Sequence, residues 1–188
     1  MSEIKVLAFA GSLRDDSFNR RMLDVARDLA PEGMEISIYD IDDIPLFDQD
    51  LEKRGLPEGV RRFHLVLDAA DALLIATPEY QHGMTGVLKN ALDWASRPPG
   101  KSPMQNKPVA ILSATPGATG GVRAQEQLRQ TLTYNKCITV PAPEVQVAHV
   151  HQKFDSDGNF TDEEGKKFLR ELLDNLAELT RDLSTDHP

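Results

Sequence analysis

The stretch Ile4-Lys5-Val6-Leu7-Ala8-Phe9-Ala10-Gly11-Ser12-Leu13-Arg14-Asp15-Asp16-Ser17-Phe18-Asn19-Arg20 decides how the chain is read. Its first seven residues have the length and β-branched content of a buried strand. The residues after Ser17 read as a helix. The loop between them sets backbone N–H groups, two hydroxyls (Ser12 and Ser17), the planar fork of Arg14 and the amide of Asn19 at a helix N-terminus. Those are the parts that hold a phosphate group. Gly11 permits the tight turn, and Ser17 is a good N-cap. Alone, the motif would also suit a serine-capped turn with a solvated arginine. The rest of the chain has to choose.

Working outward, helix is predicted over 17–30, with Met22, Leu23, Val25, Ala26 and Leu29 on one face. Pro31-Glu32-Gly33 stops it, and 34–39 alternates as a second strand. Residues 40–56 read as a long acidic loop around Ile44-Pro45-Leu46-Phe47, the kind of loop that often serves function or an interface. Pro57 opens a helix with Val60, Phe63, Leu67 and Ala70 inward. Residues 72–77 read as a third strand with no polar alternation, as a strand covered on both faces is. Residues 86–96 are helical, with Val87, Leu88, Ala91, Leu92 and Ala95 inward, and 97–103 break that helix. A fourth strand centres on 109–112, a small-residue loop spans 113–121, and 122–134 is helical. A fifth strand region, 138–140 and 145–148, is interrupted by Pro141 and Pro143. Thr161 and Glu164 form a capping box for a last helix. Its stripe is Phe168, Leu169, Leu172, Leu173, Leu176, Leu179 and Leu183.

Alternating strands and helices imply a right-handed, doubly wound parallel sheet with helices on both faces. The expected architecture is α/β, a single flavodoxin-like domain over 1–188 with five strands in the order 2-1-3-4-5. Ligands then bind at the switch point between strands 1 and 3, outside their carboxyl ends.

Charge narrows the partners. Lys and Arg number 21 against 30 Asp and Glu, a net charge of −9. This disfavours nucleic acid and anionic membranes. Any anionic ligand must be gripped by local donors. Cysteine occurs once, at Cys137, so an intrachain disulfide is impossible. The start Met1-Ser2-Glu3-Ile4-Lys5 lacks the build of a leader, and no apolar run approaches a membrane span. The cytoplasm is the expected compartment.

The topology makes the loop after strand 3 the partner of the first loop. It reads Thr77-Pro78-Glu79-Tyr80-Gln81-His82-Gly83-Met84-Thr85-Gly86. Its backbone suits the edge of a flat ring, and Tyr80 suits contact with one. The loop 113–121 lies beside them. Gly11-Ser-Leu-Arg-x-x-Ser-x-Asn19, Pro78-Glu-Tyr80 and Leu88-Lys-Asn-Ala-Leu-Asp-Trp94 together resemble the NAD(P)H-dependent FMN reductase family of quinone, chromate and azo-dye reductases. Gly120-Gly121 and the Phe154-Asp-x-Asp-Gly158 turn extend the likeness over nearly the whole chain.

The resemblance implies phosphate binding by Ser12, Arg14, Ser17 and Asn19. It implies that Pro78, Glu79, Tyr80 and Gln81 line the isoalloxazine, with Ser113 and the loop to Gly117 closing the other side. It implies FMN as cofactor and NADPH or NADH as donor. The acceptor would be a quinone, azo compound, metal oxyanion or free flavin, reduced with ping-pong kinetics. The flavin carries the chemistry, so no catalytic side chain is expected. A homodimer or homotetramer is implied, with residues 40–56 and the helix carrying Trp94 as interface pieces. Three positions depart from the family. Gln81 stands where Asn is usual, Thr85 where proline is usual, and Ala114 where relatives often carry a hydroxyl. These imply a looser or reshaped loop over the ring and a missing contact at Ala114. The rival reading is a flavodoxin-like electron carrier without fast NAD(P)H reduction, and another is a binding protein for a different phosphate ester.

Other features point elsewhere. His149 and His151 lack a third ligand, so no metal is expected. Asp155-Ser-Asp157-Gly158-Asn159 has its glycine too early for a calcium loop and reads as a turn. His82 sits in the ring loop and reads equally as a second-substrate contact or as an exposed histidine. Cys137 reads as a small buried hydrophobe.

Overall fold

The computed structural model describes residues 3–185. Met1 and Ser2, part of the start read for a leader, lie outside them, as do residues 186–188. The strands are β1 (Ile4–Ala10), β2 (Met34–Tyr39), β3 (Ala72–Ala76), β4 (Pro108–Ala114), β5 (Ile138–Thr139) and β6 (Val145–Val147). The helices are α1 (Phe18–Asp28), α2 (Gln49–Lys53), α3 (Glu58–Ala69), α4 (Gly86–Ala95), α5 (Val122–Tyr134) and α6 (Glu163–Thr185).

All pairings are parallel, in the order β2-β1-β3-β4-β5, with β6 also on β4. This is the flavodoxin-like order. The fifth position is shared. β5 pairs Pro108 and Val109 of β4, and β6 pairs Leu112 to Ala114. Pro141 and Pro143 between them cannot donate to a ladder, so one strand becomes two.

Alternation sorts the central strands onto two cores. Val6, Ala8, Leu74, Ala76, Ala110 and Leu112 face α1 and α6, meeting Met22, Leu23, Leu169 and Leu173. Leu7, Phe9, Leu73, Ile75, Val109 and Ile111 face α3, α4 and α5, meeting Phe63, Leu67, Leu88, Leu92 and Leu128. Each fully buried leucine or phenylalanine there contributes roughly 1.5–3 kcal/mol. Trp94 is fully buried in the second core. The first core is lined by alanines on the sheet, so α1 and α6 can sit close to it.

Three expectations change. Residues 40–56 are not all loop, because Asp48 caps the short α2 by accepting from the Asp50 N–H at 2.8 Å. The loop before it is tied down. Pro45 O accepts from Asn90 Nδ2 at 2.9 Å and Trp94 Nε1 at 2.8 Å. The last helix is capped by Asp162, whose Oδ1 accepts from the Gly165 N–H at 3.0 Å. Thr161 instead donates to Lys153 O at 3.2 Å. Phe168, placed inward by its spacing, is exposed. The 155–159 segment is the expected turn, with Asp155 Oδ1 accepting from the Asn159 and Asp157 N–H groups. No helix among the described residues is long and apolar enough to cross a membrane.

Candidate functional site

The loops that follow β1, β3 and β4 leave the same edge of the sheet. The first begins at Gly11, whose N–H donates to Ala76 O at 2.8 Å and carries the pairing with β3 one residue further. A side chain at Gly11 would sit 3.0 Å from both Leu88 Cβ and Thr85 Oγ1. Glycine is therefore favoured by the close approach of α4 rather than by an unusual φ. The loop then presents Ser12 and ends at Ser17, the N-cap of α1.

The hydroxyls of Ser12 and Ser17 share one arrangement. Ser12 Oγ accepts from the Arg14 N–H and Ser17 Oγ from the Arg20 N–H, each at 3.4 Å. Neither O–H has an acceptor among the described residues, although Ser12 is 5% and Ser17 2% exposed. Arg14 is exposed, and nothing among the described residues pairs with its guanidinium. The neighbouring arginines are engaged, Arg20 with Asp40 at 2.5 Å and Arg21 with Asp16 at 3.3 Å. The first N–H groups of α1 lie beyond intrahelical reach and carry the positive end of the helix dipole. Two unspent buried hydroxyl donors, free helix N–H groups and one uncommitted guanidinium fit a phosphate dianion.

Asn19 lies in the same turn of α1, 3% exposed. Its amide is engaged with β4, donating to Ala114 O at 2.9 Å and accepting from the Ala114 N–H at 3.0 Å.

The second loop is a tight hairpin. Tyr80 and Gly83 exchange both backbone hydrogen bonds, at 3.0 and 3.1 Å. Gln81 and His82 between them have φ of 50° and 64°. Positive φ at both central residues marks a type I′ turn, which usually takes Asn-Gly. Tyr80 is 50% exposed at the turn, while Pro78 beneath it is buried. Gln81 and His82 are exposed at the tip.

This turn is bolted at both ends to α5. Glu79 accepts from the Arg123 N–H at 3.0 Å and from Arg123 Nη1 at 3.1 Å. A carboxylate in the first turn of a helix also answers its dipole. Gln127 Oε1 accepts from the Met84 N–H at 2.7 Å. Thr85, where the family usually has proline, caps α4 by accepting from the Leu88 N–H at 3.3 Å, and it donates to Gly11 O at 2.7 Å. The departure at Thr85 thus fastens the two loops together instead of loosening them.

The third loop starts after Ala114, because 113 and 114, expected in the loop, belong to β4 and pair with β6; Ser113 is fully buried there. Its hydroxyl donates to Gly120 O at 2.6 Å and accepts from Gln125 Nε2 at 2.8 Å. Gly121 has φ of 94°, and a Cβ there would meet Ser113 Cβ at 2.7 Å. Residues 116–119, Gly117 among them, are exposed. Their course is set by Val150 N–H donating to Thr115 O and His149 N–H to Gly117 O, both at 3.1 Å.

The loops therefore offer Ser12, Arg14 and Ser17 as uncommitted donors and Tyr80, Gln81 and Gly117 as exposed walls, with Pro78 buried behind them. Glu79, Ser113 and Asn19 have their polar atoms engaged with protein. The residues that hold the loops, Thr85, Arg123, Gln125 and Gln127, were not singled out as such from the sequence. Only Thr85, directly before a helix, carried a local signal.

A family model, NADPH-dependent FMN reductase, matches residues 4–152. The chain belongs to the NADPH-dependent FMN reductase family. It is 45% identical over 174 residues to an NAD(P)H-dependent FMN reductase of Pseudomonas aeruginosa, covering 93% of this chain and 94% of the relative. It is 40% identical to a 2-hydroxy-1,4-benzoquinone reductase of Burkholderia sp, covering 95% of this chain and 97% of that one. Among solved structures, the flavoenzyme NAD(P)H:(acceptor) oxidoreductase FerB of Paracoccus denitrificans superposes with a TM-score of 0.84 at 33% identity. That match covers 95% of this chain and 98% of FerB. As a member of the FMN reductase family, the chain holds its open donors where the fold's switch point falls, between β1 and β3.

His82 sits at the tip of the second loop, and His149 meets the third through its backbone N–H to Gly117 O. His149 and His151 ring centroids are 6.5 Å apart. No three metal-ligating side chains converge among the described residues. Cys137 donates from Sγ to Met104 O at 3.3 Å, and burial pushes its thiol up to about 12.

Proposed function

We propose that this protein is an FMN-dependent oxidoreductase that passes electrons from NADPH or NADH to a quinone or another small acceptor. The observation that carries the reading is the pair of buried, unspent hydroxyls at the N-terminus of α1 beside the unpaired Arg14. Buried donors without acceptors are costly unless a ligand uses them. Membership of the FMN reductase family supports FMN as that ligand.

Ser12, Ser17, Arg14 and the first N–H groups of α1 hold the phosphate. Tyr80, Gln81 and Gly117, backed by Pro78, line the ring. Glu79 and Ser113 act one layer behind them, fixing the walls against α5. Bound FMN supplies reversible hydride acceptance and onward electron transfer. The protein contributes orientation: a phosphate anchor at one end, walls for the ring, and an exposed tip at Gln81 and His82 over the entrance. Donor and acceptor use the same exposed face in turn, which gives ping-pong kinetics.

The chain works as one domain over residues 1–188, in the cytoplasm. It assembles as a homodimer or homotetramer. Leu46, 82% exposed on the tip that Asn90 and Trp94 hold rigid, is the interface element this reading favours.

The test is the visible spectrum of FMN-saturated protein before and after anaerobic NADPH and, separately, NADH. Bleaching within a few turnovers supports the reductase, and the faster donor is the physiological one. Bound FMN that fails to bleach makes the protein an electron carrier. Failure to bind FMN overturns the reading of residues 12–19.

A further inference from the structure

We infer that Asn19 is a positioning residue for the flavin, holding the phosphate anchor and the ring wall at a fixed separation, rather than a phosphate ligand. The inference rests on the flavin reading above.

Its amide meets a single residue 95 positions away, and meets it twice. Nδ2 donates to Ala114 O at 2.9 Å, and Oδ1 accepts from the Ala114 N–H at 3.0 Å. Oδ1 and one of the two Nδ2 hydrogens are spent on one backbone unit, as a neighbouring peptide in a sheet would spend its carbonyl and its N–H. The place is right for that. The last hydrogen bond from β3 to β4 runs from the Thr77 N–H to Leu112 O at 3.0 Å. After Thr77 the chain turns away into the Tyr80 hairpin. Ala114 would then face nothing on that side, and the Asn19 carboxamide takes the place of the missing rung. Across β4, Ala114 is paired in register with Val147 of β6.

Two consequences follow. With Oδ1 locked onto the Ala114 N–H and one Nδ2 hydrogen on Ala114 O, the orientation of the carboxamide is fixed by β4 and not by a ligand. Asn19 is also only 3% exposed, whereas Arg14 one loop away is open. What Asn19 does instead is join the first turn of α1 to the end of β4. Ser17 caps that turn, and the loop 115–117 starts at that strand end. A ligand that spans phosphate site and ring wall feels their separation. The requirement is specific. Aspartate keeps the shape but loses the donor and sets a carboxylate oxygen against Ala114 O. Alanine loses both bonds and leaves a buried N–H and C=O unpaired.

The experiment compares FMN with riboflavin, which lacks the phosphate, by flavin fluorescence titration of wild type, Asn19→Ala, Asn19→Leu and Arg14→Ala. Visible circular dichroism is recorded at saturating FMN. For a positioning role, Asn19→Ala and Asn19→Leu weaken both flavins by the same factor, roughly fivefold or more. Their FMN-to-riboflavin ratio stays at the wild-type value, and the dichroism of the bound ring changes. Arg14→Ala does the reverse, collapsing the ratio and leaving the ring signal unchanged. A collapsed ratio with an unchanged ring signal in the Asn19 variants makes Asn19 a phosphate ligand and overturns the inference. Unchanged affinities and dichroism overturn it too, as does a loss of thermal stability with no change in the ring signal. Asn19→Leu, uncharged and close to the same size, decides if Asn19→Ala does not fold. Wild type that binds neither flavin defeats the flavin reading itself, a result distinct from all of these.

Discussion

The Thr85 hydroxyl donates to Gly11 O at 2.7 Å while its oxygen caps α4 by accepting from the Leu88 N–H. One side chain, 3% exposed, joins the loop after β1 to the helix after β3 across the switch point. Thr85→Val keeps the shape and removes both bonds. It is expected to cost about 2 kcal/mol, from a lost cap and an orphaned buried carbonyl. Urea unfolding of the apoprotein measures this, and an unchanged midpoint would show the clasp to be idle. FMN affinity is expected to fall with it.

The Tyr80–Gly83 turn places Gln81 and His82 at φ of 50° and 64°. Side chains resist this region, and Asn-Gly accepts it. The double replacement Gln81→Asn with His82→Gly is expected to raise stability by about 1 kcal/mol. Thermal melting of the apoprotein tests it. If the turn also governs acceptor choice, KM for the quinone shifts while FMN affinity holds. A double variant that melts lower would mean the two side chains make contacts worth more than the strain.

Burial raises the Cys137 thiol to about 12 from a reference of 9.0. The folded state therefore keeps its proton where the unfolded state loses it. Stability is expected to fall as pH climbs from about 9 toward 12, by up to roughly 1.4 kcal/mol per pH unit from this group. Cys137→Ala flattens that limb in alkaline denaturation, and its other effect is a small cavity. At neutral pH the thiol stays inert to alkylation until the protein unfolds, which a mass-shift assay in and out of urea reads directly.

At the acid end Asp162 carries the signal. Its ion pair with Lys153 and the N–H groups at the start of α6 hold its carboxyl below the usual range. A depressed carboxylate stabilises the fold above its unfolded value, and that contribution is lost as pH falls through the folded value. Asp162→Asn keeps the cap and removes the titration. Acid unfolding followed by circular dichroism is expected to show a shallower slope for the variant. An identical slope would assign acid sensitivity to other carboxylates.

Much of this was legible in the residues because it is local. Each strand and each major helix announced itself by period, and Ser17 announced its own cap. The alternation that sends Val6 and Ala8 to one core and Leu7 and Phe9 to the other is written in β1 itself. What escaped was non-local. Nothing near Asn19 says that Ala114 awaits its amide, nothing near Glu79 says that Arg123 stands opposite, and Gln127 meets Met84 only after the sheet is assembled. Phe168 and Thr161 failed differently. Thr161 lost the cap because α6 begins one residue later, at Glu163, and Phe168 stands at the border of a stripe whose buried members are Leu169, Leu172, Leu173 and Leu176.

The divided fifth strand position has a further consequence for how the protein survives at high concentration. A long unbroken border of N–H and C=O groups would let a stranger's chain add itself to the sheet. Here β5 and β6 are two and three residues long, with two prolines between them. Asn175 Nδ2 and Arg129 Nη1 take the carbonyls of Ala142 and Val140 in that gap, at 2.8 and 3.0 Å. The border is nicked and its spare acceptors are stoppered, so it offers no template for fibril growth. The opposite border is β2, six unbroken residues, so any extension of the sheet by a second chain is confined to that side.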